Sequence, residues 1–218
     1  MTISAPLYPI ALRLEDLPCL VVGAGPVAAR KAASLLACGA RVSVIAPEIC
    51  PAMEEASVRL IRRAYEPGDA APFRLVIAAT GVAAVDRAVY QDAEFIGVLV
   101  NGADDVEACR FFVPAVLRRG PVTVAVSTAG VSPFLAGWLR DRIGEVVGPE
   151  FSQVAVLVGE ARRTLIEGGH STEGVDWGSL LNEDLVSVVA AGREDEARAR
   201  IEGWLARELR RNGRDNRE

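Results

Sequence analysis

One stretch constrains this chain more than any other: Pro18 to Ala40, P-C-L-V-V-G-A-G-P-V-A-A-R-K-A-A-S-L-L-A-C-G-A. An apolar run from Cys19 to Val22 enters a turn holding Gly23 and Gly25, and a helix-period segment from Pro26 to Cys38 leaves it. The helix start then offers unpaired N–H groups and the positive end of its dipole to whatever lies over the turn. Arg41–Ala46, R-V-S-V-I-A, reads as a second strand closed by Pro47, so the connection is a right-handed crossover in a parallel sheet. A dinucleotide fits this arrangement. Gly23 permits the tight turn, Gly25 lets the backbone approach a pyrophosphate, and Ala28, where a third glycine is usual, is small enough for close helix–strand packing. Pro26 and Val27 complete the cofactor-binding turn. The competing use of the same residues is a glycine turn that serves packing alone.

The rest of the chain extends that unit. Ser57–Arg63 alternates as an edge strand does, and Arg74–Thr80 is apolar enough for the buried middle of a parallel sheet. A helix over 83–93, a strand over 94–100 and a short last strand over 110–114 follow. Ligands of open α/β sheets lie beyond the carboxyl ends of the strands, which selects Pro47 and Glu48 after the second strand, Thr80 after the fourth, and Asn101–Asp105 after the fifth. Glu48, about 20 residues past the turn, is the acid placed to hold an adenosine ribose, and no arginine follows that strand to meet a 2′-phosphate, so NAD is expected over NADP. Pro121–Ser127 alternates with period two, and Ser132-Pro133 opens a helix with an apolar stripe. Beyond Gly148 the pattern is helical: 150–167, 177–190 and 194–211, with a frayed end. The expectation is an α/β protein: a Rossmann-type parallel-sheet domain over 1–113, a small region over 114–148, and an all-helical region over 149–218.

Composition narrows the function. A net charge of −5 with scattered Lys and Arg excludes the basic stripe of a nucleic-acid binder. No run is long enough to span a membrane and the N-terminus lacks the regions of a signal peptide, so a cytoplasmic location is expected. Four irregularly spaced cysteines read as structural thiols, and a single histidine, His170, leaves no histidine triad or multi-histidine metal site within one chain. No metal ligand set is read.

Seven segments occur in one order: Y-P-I-A-L-R-L, G-A-G-P-V-A-A-R-K-A, V-I-A-P-E, L-V-I-A-A-T, V-N-G-A-D, F-F-V-P and V-A-V-S-T-A-G-V-S-P. Together they resemble the precorrin-2 dehydrogenase family, the stand-alone counterpart of the N-terminal module of sirohaem synthase. The resemblance implies NAD-dependent oxidation of precorrin-2, a tetrapyrrole, to sirohydrochlorin, and in some members a further insertion of ferrous iron. It implies a homodimer, with 114–148 as the dimerisation region and the helical region helping to enclose the substrate. The family's functional aspartate falls on Asp104, with the adjacent Asp105 an open alternative. A carboxylate there suits the chemistry, since the oxidation removes a hydride and a proton and needs a proton acceptor. A substrate rich in carboxylates also calls for arginine, and Arg110, Arg118, Arg119 and Arg140 are the candidates, with Ser127 and Thr128 as hydroxyl partners. Ser132 reads as a helix cap. Two alternatives stay open: an NAD-sensing regulatory module, and a chelatase without redox activity.

Overall fold

A computed structural model of the chain describes residues 5–103 and 105–215. Asp104 therefore lies outside the described residues. Two compact units emerge, Met1–Val113 with Ala129–Val131, and Pro114–Thr128 with Ser132–Glu218.

In the first unit five parallel strands form one sheet in the order β3-β2-β1-β4-β5. They are β1 (Pro18–Val22), β2 (Arg41–Ile45), β3 (Arg59–Ile61), β4 (Leu75–Ala78) and β5 (Leu99–Gly102). β1 occupies the middle, which is why its residues from Cys19 onward are buried on both faces. On one face Cys19, Val21, Val42, Val44, Leu75 and Ile77 pack with Ala28, Ala32 and Leu35 of α1 (Pro26–Leu36) and with Met53 of α2 (Pro51–Glu54). On the other, Leu20, Val22, Ile45, Val76, Ala78 and Val100 pack with Val89 and Ala93 of α3 (Ala83–Phe95). Helices on both faces and a strand order that reverses between β1 and β4 make this the Rossmann arrangement, with its ligand crevice at that reversal.

Burial holds the Cys19 thiol close to inert. Cys19 is enclosed in the sheet, and burial above all, with nearby Cys38 adding, pushes its pKa up to about 11.

Several strand and helix boundaries differ from the sequence reading. The helix expected over 83–93 runs on through Phe95 and ends where Gly97 takes φ +75°, so the strand expected over 94–100 is instead Leu99–Gly102. Residues 110–114 form no strand: the ladder stops at a single antiparallel bridge between Asn101 and Cys109. The helix expected over 177–190 is two, α6 (Trp177–Leu180) and α7 (Glu183–Ala190), because Asn182 accepts the Leu185 N–H at 3.0 Å and starts a new helix.

The second unit opens with a hairpin, β6 (Ala115–Arg119) and β7 (Val122–Val126), paired antiparallel. α4 (Pro133–Val146) and α5 (Glu150–Glu167) pack on it. α5, α7 and α8 (Glu194–Asp215) then enclose a core of Leu157, Leu165, Leu185, Ile201 and Trp204. α8 continues through residues 212–215, where the sequence reading expected fraying. Trp204 donates its indole N–H to Ser179 Oγ at 3.0 Å and packs against Trp177, tying α6 to α8.

Candidate functional site: a glycine turn and its neighbouring strand ends

The glycine turn is pinned on three sides. Gly23 donates its N–H to the Ile45 carbonyl at 2.9 Å, Ala79 donates to the Val22 carbonyl at 2.8 Å, and Cys50 donates to the Ala24 carbonyl at 3.1 Å. Gly23 sits at φ +105°, and a Cβ built on it would lie 2.3 Å from the Ala79 carbonyl oxygen, so glycine alone fits. Gly25 is the opposite case: a Cβ there would meet nothing within 4 Å, so its lack of a side chain keeps space open outside the protein. Gly25 caps α1 without a side-chain hydrogen bond, and the first turn of that helix holds no acid, so its N–H groups and dipole are uncompensated. That is the chemistry of a pyrophosphate cradle.

Over the turn lies a pocket of about 470 Å³ lined by Gly23, Gly25, Pro47, Glu48, Ile49, Cys50, Thr80 and a set of apolar side chains. Pro26 and Val27 stand exposed at the start of α1, outside that lining, and Ala28 is fully buried against the sheet. Thr80 is held by an acid that sequence reasoning did not single out. Asp86, buried in the first turn of α3, accepts the Thr80 N–H at 3.0 Å and its hydroxyl at 2.8 Å. Among the described residues, Glu48 is the one carboxylate on the lining and no Lys, Arg or His stands there; Arg62 and Arg63, after β3, pair instead with Glu54 and Asp69.

The end of β5 lies beside the end of β4, which leads into Thr80 on the pocket lining. Gly102 pairs with Ala78, and Ala103 donates its N–H to the Ala78 carbonyl at 2.8 Å, two residues before Thr80. Asn101, 5% exposed, closes the neck of this loop by donating to the Phe111 carbonyl at 2.9 Å and to Cys109 Sγ at 3.2 Å. Burial, the leading cause, pushes the Cys109 thiol upward, and its S–H serves the Gly102 and Asp105 carbonyls. Asp105 is occupied on both oxygens: one accepts the Glu107 N–H at 2.9 Å and caps a 3₁₀ turn over Val106–Ala108, and the other lies 3.1 Å from Arg87.

The arginine candidates are spread over both units. Arg110, in the first, is paired with Glu94. In the second, Arg118 is exposed on β6, Arg119 donates to the Val147 carbonyl at 3.2 Å, and Arg140 pairs with Asp141 at 2.7 Å. Ser127 is exposed just past β7. Thr128 spends its hydroxyl on the loop, donating to the Ser132 carbonyl at 2.9 Å, and Ser132 caps α4 by accepting the Leu135 N–H at 3.2 Å.

A doubly wound sheet with an open, uncompensated glycine turn at its reversal point defines an NAD(P)-binding protein. An NAD(P)-binding family model matches residues 10–115, and a second, described as the sirohaem biosynthesis protein central region, matches 119–145. Over nearly all of its length the chain is similar to siroheme synthases. It is 35% identical over 204 residues to the siroheme synthase of Methylobacillus flagellatus, covering 91% of this chain and 44% of that protein. To the siroheme synthase of Chromobacterium violaceum it is 38% identical over 208 residues, with 91% and 44% covered. The chain thus spans less than half the length of these relatives. Among solved structures, SirC, a precorrin-2 dehydrogenase, shares the fold with a TM-score of 0.63 at 22% identity, over 92% of this chain and 98% of that one.

Proposed function

We propose that this protein oxidises precorrin-2 to sirohydrochlorin with NAD, a step of sirohaem biosynthesis, as a cytoplasmic homodimer. The observation that carries the reading is the open Gly25 cradle at the reversal point of the sheet. Gly23, Gly25 and the start of α1, with Pro26, Val27 and Ala28, would hold the pyrophosphate; Pro47, Glu48 and Thr80 would flank the riboses. Bound there, NAD supplies a hydride acceptor. The matching proton needs a base, and we assign it to Asp104; the engagement of both Asp105 oxygens supports that choice. Arg110, Arg118, Arg119 and Arg140, with Ser127 and Thr128, are assigned to the substrate's carboxylates.

NAD rather than NADP is supported by the acidic character of the pocket's adenosine side. Glu48 repels a 2′-phosphate, and among the described residues nothing basic on the lining answers it. Affinity for NADP is expected to be about tenfold to 100-fold below that for NAD, and Glu48→Gln to narrow the gap. Equal affinities in the native protein, measured by titration calorimetry, would withdraw the NAD assignment.

The homodimer is supported by α4, where Phe134, Trp138 and Val146 are 92%, 58% and 75% exposed. Phe134→Asp combined with Trp138→Asp is expected to halve the mass measured by light scattering while leaving the helical circular dichroism unchanged. An unchanged mass would move the interface elsewhere.

The function is tested by anaerobic absorbance of the protein with precorrin-2, with and without NAD, followed by ferrous iron. Sirohydrochlorin formed only with NAD supports the dehydrogenase. NAD binding with no turnover favours a sensing module, and accelerated sirohaem formation from supplied sirohydrochlorin alone favours a chelatase without redox activity.

A further inference from the structure

Asn101 is a polar side chain in apolar surroundings. Its register partner on β4 is Ile77, and Ile77, Ala103 and Phe111 belong to the apolar cluster on the α1 face of the sheet. Buried there, Asn101 leaves its amide oxygen with no hydrogen-bond partner among the described residues. An unpaired buried acceptor costs stability, and a leucine would fill similar space without that cost. What the asparagine brings is two donors. One amide hydrogen goes to the Phe111 carbonyl and the other to Cys109 Sγ, and the Cys109 S–H is directed in turn at the carbonyls of Gly102 at 3.2 Å and Asp105 at 3.1 Å. The sulfur accepts on one side and donates on the other. The Arg110 N–H on the Val100 carbonyl at 2.8 Å closes the same neck through the backbone. Burial, the leading cause, raises the pKa of the thiol, so it stays a protonated donor at neutral pH.

Asp104, the base assigned above, falls in the chain between the two residues whose carbonyls this thiol holds. We propose that Asn101 and Cys109 are positioning residues for the oxidation, a side-chain clasp that fixes the backbone before and after Asp104 and so sets where its carboxylate meets the proton it accepts. The inference rests on reading Asp104 as the base. Between β5 and Cys109 the only regular structure among the described residues is the 3₁₀ turn over Val106–Ala108, too short to fix a segment by itself. The clasp supplies what that turn lacks. A reacting group misplaced by about 1 Å loses about 100-fold in rate, so bonds that hold its backbone act on turnover and leave ligand affinity alone.

The test is steady-state oxidation of precorrin-2 by the full chain, with kcat and KM measured separately. Cys109→Ala removes the sulfur from both sides of the clasp and is expected to lower kcat by about tenfold to 100-fold, with KM for precorrin-2 and affinity for NAD within about threefold of native. Cys109→Ser keeps an acceptor and a donor and should return kcat to within about threefold of native. Asn101→Leu fills the space without donors and is expected to show the same loss, and the double variant to lose no more than either single change, since the two residues act as one unit. In an Asp104→Ala background, Cys109→Ala is expected to alter the residual rate by less than about twofold, a silence that general loosening of the fold would not produce. An equal loss with and without Asp104, or native kcat in a folded Cys109→Ala or Asn101→Leu protein, overturns the proposal. The clasp is also read in the native protein. Alkylation of Cys109 by iodoacetamide, followed by peptide mass spectrometry, is expected to run at least about tenfold slower than that of a free peptide thiol at the same pH, and matching rates overturn the proposal even if every variant unfolds. A native protein that oxidises no precorrin-2 overturns the function reading, and the positioning role with it, whatever the alkylation rate.

Discussion

Asp104→Ala is expected to lower turnover of precorrin-2 by about 100-fold to 10,000-fold, the range a positioned acid–base group contributes. NAD affinity and dimer mass should stay as they are, since no part of the pyrophosphate cradle is touched. Asp105→Ala is the control. That carboxylate caps the 3₁₀ turn and faces Arg87, so its loss is expected to cost about 1 kcal/mol of stability and leave turnover within an order of magnitude. The two residues are separated by stopped-flow turnover of each variant under identical NAD saturation. Near-native turnover in Asp104→Ala with a collapse in Asp105→Ala would transfer the proton-handling role to Asp105.

The second large effect divides the two glycines of the turn. Gly25→Val is expected to leave the melting temperature unchanged, because a side chain there meets no protein atom, yet to weaken NAD by about 100-fold or more by filling the phosphate's space. Gly23→Asp is expected to fail differently. Its Cβ would collide with the Ala79 carbonyl at a backbone angle that only glycine adopts easily, forcing β1 and β4 apart at the reversal point and costing about 3 kcal/mol or more before any ligand is considered. A Gly25→Val protein with native NAD affinity would show that the cofactor does not use this turn.

Much of this was legible in the chain because it is local. The run C-L-V-V into G-A-G, the edge-type alternation at Ser57–Arg63 and the apolar L-V-I-A each declare their place through period and glycine position alone. The boundaries that moved did so for reasons also written locally but weakly. Glu94 and Phe95 look strand-like, yet Gly97 two residues on is a helix terminator, and Asn182 before two acids is a helix start inside an apolar run. A-V-L-R-R hid β6 because its apolar run is short and its pairing with β7 is the only thing that makes it a strand. Asp86 under Thr80 is a contact six residues away, and Asp92 under Tyr65 one of 27. No periodicity reports a hydrogen bond across such a gap; it exists only once the sheet and α3 have met.

β1 is the first strand of the sheet to be made, yet its second side is paired only after β2 and β3 exist. β2 covers one side as soon as Ile45 exists, but the other side waits for Leu75–Ala78. Until then C-L-V-V presents a bare ladder of backbone donors and acceptors, with apolar side chains above and below, to anything nearby. A nascent or truncated chain ending before Leu75 therefore carries an open template for self-association in its centre, and its yield as a monodisperse fragment should fall sharply relative to one that extends past Ala78. The strand that carries the cofactor turn is also the one whose safety during synthesis depends on prompt arrival of its distant neighbour.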